Sequence, residues 1–125
     1  MVQTGTARPI IGLPLHLSQI VQNLLLNALK YSDAPVELKL QWEAEQCQLI
    51  ISDKGIGIPK AEQTYVFNSF FRSKNVGMIP GTGLGLYIVK RAIELHDGQI
   101  YFDSQVDQGS TFYVLLPYRP KTLNP

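Results

Sequence analysis

A single cysteine, Cys47, stands in a chain of 125 residues, which excludes an internal disulfide and a metal site built from cysteines. With no oxidative staple, the chain suits a reducing, cytoplasmic setting. Long apolar runs are also missing. The longest, LLL at 24–26 and YVLLP at 113–117, fall far short of a membrane span, so no direct membrane contact is expected. The opening MVQTGTARP shows no basic-then-apolar leader. Nor is there an excess of one charge. The 11 Lys and Arg against 10 Asp and Glu leave a formal +1, which speaks against nucleic acid as a partner. Any anion site must be local.

What is present is an ordinary globular composition, 45% hydrophobic and 17% charged, at a length that suits one domain with its own core. Residues 15–32 carry Leu17, Ile20, Val21, Leu24, Ala28 and Leu29 at helical spacing, with Pro14 able to open the helix and SDAP at 32–35 closing it. VELKLQW (36–42) and CQLIIS (47–52) read as a hairpin, and QIYFDS and STFYVLLP around QVDQG as a second one. KAEQTYVF (60–67) predicts a short helical turn. SKNVGMIPGTG (73–83) predicts a loop, and 84–96 a second long helix ended by Asp97-Gly98. Residues 1–14 read as an irregular lead-in, 15–117 as the folded domain and 118–125 as a frayed tail. Interleaved helices and hairpins predict a two-layer α/β sandwich, with a mixed, mainly antiparallel sheet covered on one face by helices.

The stretch GTGLGL, Gly81 to Leu86, concentrates three glycines at alternate positions ahead of that second helix. Each glycine costs roughly 0.5–1 kcal/mol against alanine in regular structure, so the cluster needs a reason. Backbone N–H groups leading into a helix start make a ready phosphate site, and a sharp turn is the plain alternative. Three familiar glycine motifs fail. G-x-G-x-x-G needs glycine where Leu86 stands, the protein-kinase loop lacks the same glycine, and no G-K-[ST] triplet exists for a P-loop.

Three further stretches bear on the choice. In NLLLNA (23–28), Asn23 and Asn27 share one helix face, and Lys30 and Tyr31 extend it; a solvated face is the simpler reading. DKGIGI (53–58) sets an acid at a strand end before two glycines, which could be only a turn. VFNSFFR (66–72) clusters aromatics, with Phe67 and Phe70 expected in the core.

In this order the four pieces resemble the N, G1, F and G2 boxes of the catalytic ATP-binding domain of bacterial sensor histidine kinases. That domain belongs to the Bergerat-fold (GHKL) group shared with gyrase B, Hsp90 and MutL. The resemblance covers about residues 15 to 117, and HDGQIYFDSQVDQGSTFYVLLP is similar to the family's closing helix end and hairpin. One departure is LPLH (13–16), where the family has an acidic residue and an arginine just before the N box.

The resemblance implies ATP and Mg²⁺ as cofactors, with Asn27 as the metal ligand. It implies Asp53 as acceptor of the adenine amine, Gly55 and Gly57 as close backbone approaches to the base, and Ile58 in the adenine wall. Asn27, Lys30 and Arg72 become the catalytic set, the two cations neutralising phosphates with Lys74 beside them, and Tyr31 stands near the ribose. Gly81, Thr82, Gly83, Leu84, Gly85 and Leu86 would wrap the triphosphate, residues 73–80 would form a lid, and Thr111 would join the cofactor site. Asn23 holds the position where hydrolysing relatives carry a glutamate base, so ATP should be bound but poorly hydrolysed. Neither His16 nor His96 has the flanking pattern of a phosphoacceptor; His96 reads as a helix-end residue.

The implied function is transfer of the γ-phosphate to a histidine on a separate dimerisation and phosphotransfer domain, with a response-regulator receiver domain downstream, in the cytoplasm or on the cytoplasmic part of a membrane-bound kinase. Two rivals are a degenerate nucleotide-binding module and an ATP-driven clamp. The intact boxes speak against the first, and Asn23 and the chain length against the second.

Overall fold

The computed structural model describes residues 2–72 and 83–121. The elements run β1 (Val2–Thr4), α1 (Pro14–Lys30), β2 (Glu37–Trp42), β3 (Gln46–Asp53), a 3₁₀ helix (Lys60–Tyr65), α2 (Gly85–Leu95), β4 (Gln99–Gln105) and β5 (Gly109–Pro117). Pro14 occupies the first turn of α1, where its missing N–H leaves nothing unpaired and its ring presets a helical φ. Ile20, Leu24 and Ala28 then recur at a spacing of four and form the buried stripe of that helix.

The five strands form one sheet in the order β1-β2-β3-β5-β4. β1 joins β2 in parallel, and the other pairs are antiparallel. The alternation in β3 and β5 buries Cys47, Leu49, Ile51, Phe112, Val114 and Leu116 on one sheet face, and all of these but Cys47 meet Ile20, Leu24, Val89 and Ile93 in one core. The other sheet face carries the parallel-stacked rings of Tyr101 and Tyr113, 4.7 Å apart. The expected two-layer sandwich is the observed one.

Both ends of the chain depart from the reading as irregular segments. Val2–Thr4 pairs with Lys39–Gln41 as an edge strand, an assignment its three polar-flanked residues could not signal alone. Beyond β5, Tyr118 is buried, stacks on Trp42 at 6.2 Å and lies under the Arg8 guanidinium at 4.4 Å. Its hydroxyl donates to the Glu43 carbonyl at 2.6 Å and its carbonyl accepts the Ile11 N–H at 2.8 Å, so lead-in and tail hold each other down.

His96, at the end of α2, is buried and accepts the Leu13 N–H on Nε2 at 3.0 Å. That acceptor role leaves the hydrogen on Nδ1, which lies 2.7 Å from the Ala92 carbonyl and donates to it. The imidazole therefore ties the start of α1 to the last turn of α2 by hydrogen bonds to a neutral ring, rather than by a charge on the helix dipole.

Candidate functional site

At the ends of β3 and β5 the sandwich opens. The register sets Asp53 opposite Ser110, both on the helix-facing side of the sheet. Across from them, α1 presents Asn23, Asn27 and Lys30 at spacings of four and three. Between these walls lies a cavity of about 540 Å³, a size that suits a small-molecule ligand.

The loop after β3 forms one side. Gly57 adopts φ +70°, and a Cβ there would fall onto the Gln105 carbonyl, so only glycine lets this loop lie against the β4–β5 turn. The Ile56 N–H donates to the Tyr31 carbonyl at 3.2 Å, and the Ile56 carbonyl accepts from Asp107 at 2.9 Å. Gln63 Nε2 donates to the carbonyls of Ile58 and Ser104, both at 3.1 Å. The loop is held at both ends, so Ile58 stands in the wall as expected.

Opposite, Phe70 and Gly83 meet across the gap in the described chain. The Phe70 N–H donates to the Gly83 carbonyl at 2.9 Å, and both residues have left-handed backbones, φ 65° and +76°. For a phenylalanine that conformation is strained. It leaves the ring 71% exposed, so Phe70 is not the core residue its sequence suggested; Phe67, packed edge-on against Phe102, is.

The two described glycines of GTGLGL differ in what they need. A Cβ on Gly83 would strike the Phe70 and Phe71 backbone at 2.5–2.6 Å, and its φ already favours glycine. Among the described residues, a Cβ on Gly85 would meet only Asn23 Oδ1, at an ordinary 3.4 Å, and none of them requires glycine there. A side chain at 85 would instead stand in the cavity.

Asp53 is the electrostatic centre. Burial raises its pKa above the ordinary carboxylate value, and the N–H groups of Gly55 (2.8 Å) and Ser110 (3.3 Å) on Oδ1 pull the other way. Both bonds fall on one oxygen of a carboxylate that lines the cavity. Lys30, whose ammonium lies 5.7 Å from the Tyr31 ring centre, and Arg72 bring positive charge to the same cavity.

Of the residues singled out from sequence, the structure brings Asn23, Asn27, Lys30, Tyr31, Asp53 and Gly57 to this one cavity, together with Ile58, Arg72, Gly83, Gly85 and Leu86. Gly55 does not line it but backs onto the Tyr31 carbonyl, and Leu84 caps α2 behind the lining. Thr111 lies on the opposite sheet face, its hydroxyl 3.1 Å from Ser52 Oγ. Its neighbour Ser110 lines the cavity instead, because strand parity rather than residue type decides which of the two faces inward. Lys74, Gly81 and Thr82 lie outside the described residues. Leu26, Leu29 and Phe71 also line the cavity and were not expected there; Leu26 and Leu29 are exposed leucines on α1, a pattern visible only once its buried face is known. Among the described residues, no group of three His, Cys, Asp or Glu side chains could hold a metal by itself, and no helix is long and apolar enough to cross a membrane.

A comparison with known families settles the lineage. The profile of the histidine kinase-, DNA gyrase B-, and HSP90-like ATPase family matches residues 12–120. The chain belongs to this family. Within it, curated proteins similar to this chain include histidine kinases. A signal transduction histidine-protein kinase/phosphatase MprB from a Mycobacterium species is 42% identical over 120 residues, 90% of this chain and 23% of its own length. The circadian input-output histidine kinase CikA of Synechococcus elongatus is 42% identical over 108 residues, 83% of this chain and 14% of its own. The chain thus spans a quarter or less of these relatives. Among solved structures, a mycobacterial sensor histidine kinase MprB superposes with TM-score 0.77 at 35% identity, covering 89% of this chain and 78% of that one. Full-length ShkA in complex with AMPPNP superposes with TM-score 0.66 at 25% identity, covering 84% of this chain and 22% of that one. This ATPase-family chain is the catalytic-domain type of the histidine kinases.

Proposed function

We propose that the domain binds ATP with Mg²⁺ in this cavity and presents the γ-phosphate to a histidine on a separate dimerisation and phosphotransfer domain. The observation that carries the reading is Gly85, a glycine that neither a turn nor packing among the described residues requires, whose missing side chain keeps the start of α2 open to the cavity. The AMPPNP bound in the ShkA neighbour supports it.

The residues present fit the nucleotide. Asp53, held by two backbone N–H bonds, offers an acceptor for an amine at the base end, and Ile58 a flat apolar wall. At the other end Lys30 and Arg72 supply positive charge, and Gly85 and Leu86 bring the N-terminal end of α2 to the same space. Tyr31 stands between the two ends. Mg²⁺ fits only as a shared ligand: Asn27 offers one neutral amide oxygen, and phosphate oxygens and water must complete the shell. Bound there, the ion would neutralise charge on the β- and γ-phosphates.

Asn23 gives its amide N–H to the Gln19 carbonyl at 2.8 Å and has no basic group to activate water. The domain therefore positions phosphate without supplying a base, which suits transfer to a partner's histidine over hydrolysis. Lys74, Gly81 and Thr82 complete the phosphate end on this reading; Gly55 acts by supporting the base loop, and the functional unit spans 15–117. A response-regulator receiver domain would take the phosphate next, on the cytoplasmic side.

Calorimetric titration of a non-hydrolysable ATP analogue with Mg²⁺ tests the reading. We expect binding to this chain, weakened on the order of tenfold or more in Asp53→Asn, where an amide N–H can replace the acceptor oxygen. A helical domain carrying an acceptor histidine should then gain phosphate from Mg·ATP in the chain's presence. No binding at millimolar analogue would sink the proposal.

A further inference from the structure

Three neighbours converge on the hydroxyl of Ser104, a half-buried residue of the edge strand β4 directly opposite Ser110. The Ile58 N–H donates to Ser104 Oγ at 2.8 Å, Ser110 Oγ lies 2.7 Å away, and the Gly109 carbonyl is 3.2 Å away. A serine hydroxyl has one hydrogen and two lone pairs. The Ile58 N–H can only donate, and the Gly109 carbonyl can only accept. One assignment satisfies all three partners at once. Ser104 donates to Gly109, accepts from Ile58, and accepts the hydrogen of Ser110.

That assignment has a consequence across the sheet. Ser110 lines the cavity, and its N–H already goes to Asp53 Oδ1 at 3.3 Å. With its hydroxyl hydrogen directed at Ser104, the oxygen has only lone pairs left to show a ligand. The floor of the cavity then offers two acceptors side by side, the Asp53 carboxylate and Ser110 Oγ, and no hydroxyl donor.

We propose that Ser104, which does not line this cavity itself, is a positioning residue for base selection: by taking up the Ser110 hydrogen it keeps the cavity floor acceptor-only. Such a floor favours a purine whose C6 carries an amine, as in adenine, over one whose C6 carries a carbonyl, as in guanine. This rests on the reading of the cavity as a nucleotide site. A buried acceptor facing a carbonyl has no partner, whereas one facing an amine does. Removing the Ser104 hydroxyl frees Ser110 to rotate and donate inward, and a carbonyl edge then finds the donor it lacked.

The test is the ratio of affinities for non-hydrolysable GTP and ATP analogues, each with Mg²⁺, measured by calorimetry. In Ser104→Ala we expect the preference for the ATP analogue to fall about tenfold, mainly through tighter binding of the GTP analogue. Ser104→Thr keeps the hydroxyl and should keep the wild-type ratio. In a Ser110→Ala background, Ser104→Ala should leave the ratio where Ser110→Ala alone puts it. A merely structural serine would weaken both analogues together and leave the ratio unmoved, and that result overturns the inference. If Ser104→Ala does not fold, Ser104→Val, the shape of threonine without its hydroxyl, answers the same question against Ser104→Thr. Wild-type chain that binds neither analogue overturns the nucleotide reading and this inference with it; wild-type preference that survives Ser104→Ala overturns this inference alone.

Discussion

Strand β3 begins in a sealed region and ends in an open one, and each end carries an acidic group raised by burial. At the sealed end, Cys47 is 2% exposed, paired across from Trp42 and Leu116, with Trp42 stacked on Tyr118 beyond. Burial first and the Glu43 carboxylate second push its thiol up to about 11. At the open end, burial also raises Asp53, but two backbone N–H groups oppose it and orient the carboxylate. The same strand and the same face thus carry a packed thiol and a held acceptor. Burial alone marks neither as functional. What separates them is that the chain ends close over Cys47, whereas the helix N-terminus and the glycine-bearing loops leave the space above Asp53 empty.

If the two ends are independent, damage at the sealed end should cost stability and spare binding. Tyr118→Ala removes a buried ring that ties lead-in to tail and should cost about 3 kcal/mol in denaturant unfolding. The ATP analogue should still bind the folded variant within about twofold. A matching loss of affinity would show that the ends are coupled.

The glycine pair sharpens the contrast inside the open end. Gly83→Ala forces a side chain into the Phe70 backbone at a left-handed φ, and should destabilise by roughly 1–3 kcal/mol. Gly85→Ala meets only an ordinary contact with Asn23 among the described residues, at the start of a helix, and should raise stability by up to roughly 1 kcal/mol. Its effect on analogue binding should be the reverse, a loss of about tenfold, as the methyl group enters the cavity. Thermal unfolding and titration of both variants check this.

Asp53 carries a pH dependence with a definite sign. Its folded pKa lies above the ordinary 3.8, so its stabilising contribution is full below that value and is lost as pH rises through the folded pKa. At neutral pH the carboxylate therefore destabilises the ligand-free fold. Asp53→Asn should melt slightly higher than wild type at pH 7, with the advantage vanishing as pH falls to about 3.8. Analogue binding to wild type should weaken as pH falls through the same window, because protonation removes the acceptor. The smallest effect on function falls to Cys47. At pH 8 its alkylation should be slower in the folded chain than in urea by on the order of tenfold or more, from burial and the raised pKa together, with binding unchanged before reaction.

The two helices, both hairpins and the layer arrangement could be read from spacing, because helix and strand periods are local properties of the chain. The asparagines of α1 and the acid and glycines after β3 were legible for the same reason, as short motifs whose order marks a family. Other features depend on partners far along the chain. Val2–Thr4 is a strand only because β2 offers an edge, and Tyr118 is held only because Arg8, Trp42 and Glu43 surround it. Phe70 points outward because Gly83 captures its N–H in a left-handed turn.

Ser110 and Thr111 mark the dividing line most sharply. By itself the sequence determined that a hydroxyl-bearing residue follows Gly109 in the last strand, that an acid ends β3, and that the chain belongs with the ATP-binding kinases. Only the tertiary structure decided that Ser110 faces the cavity beside Asp53 while Thr111 turns to Ser52 on the other sheet face. The reason is physical: successive side chains of a strand point to opposite faces, and the register against β3, set by every residue pair along it, chooses which is which.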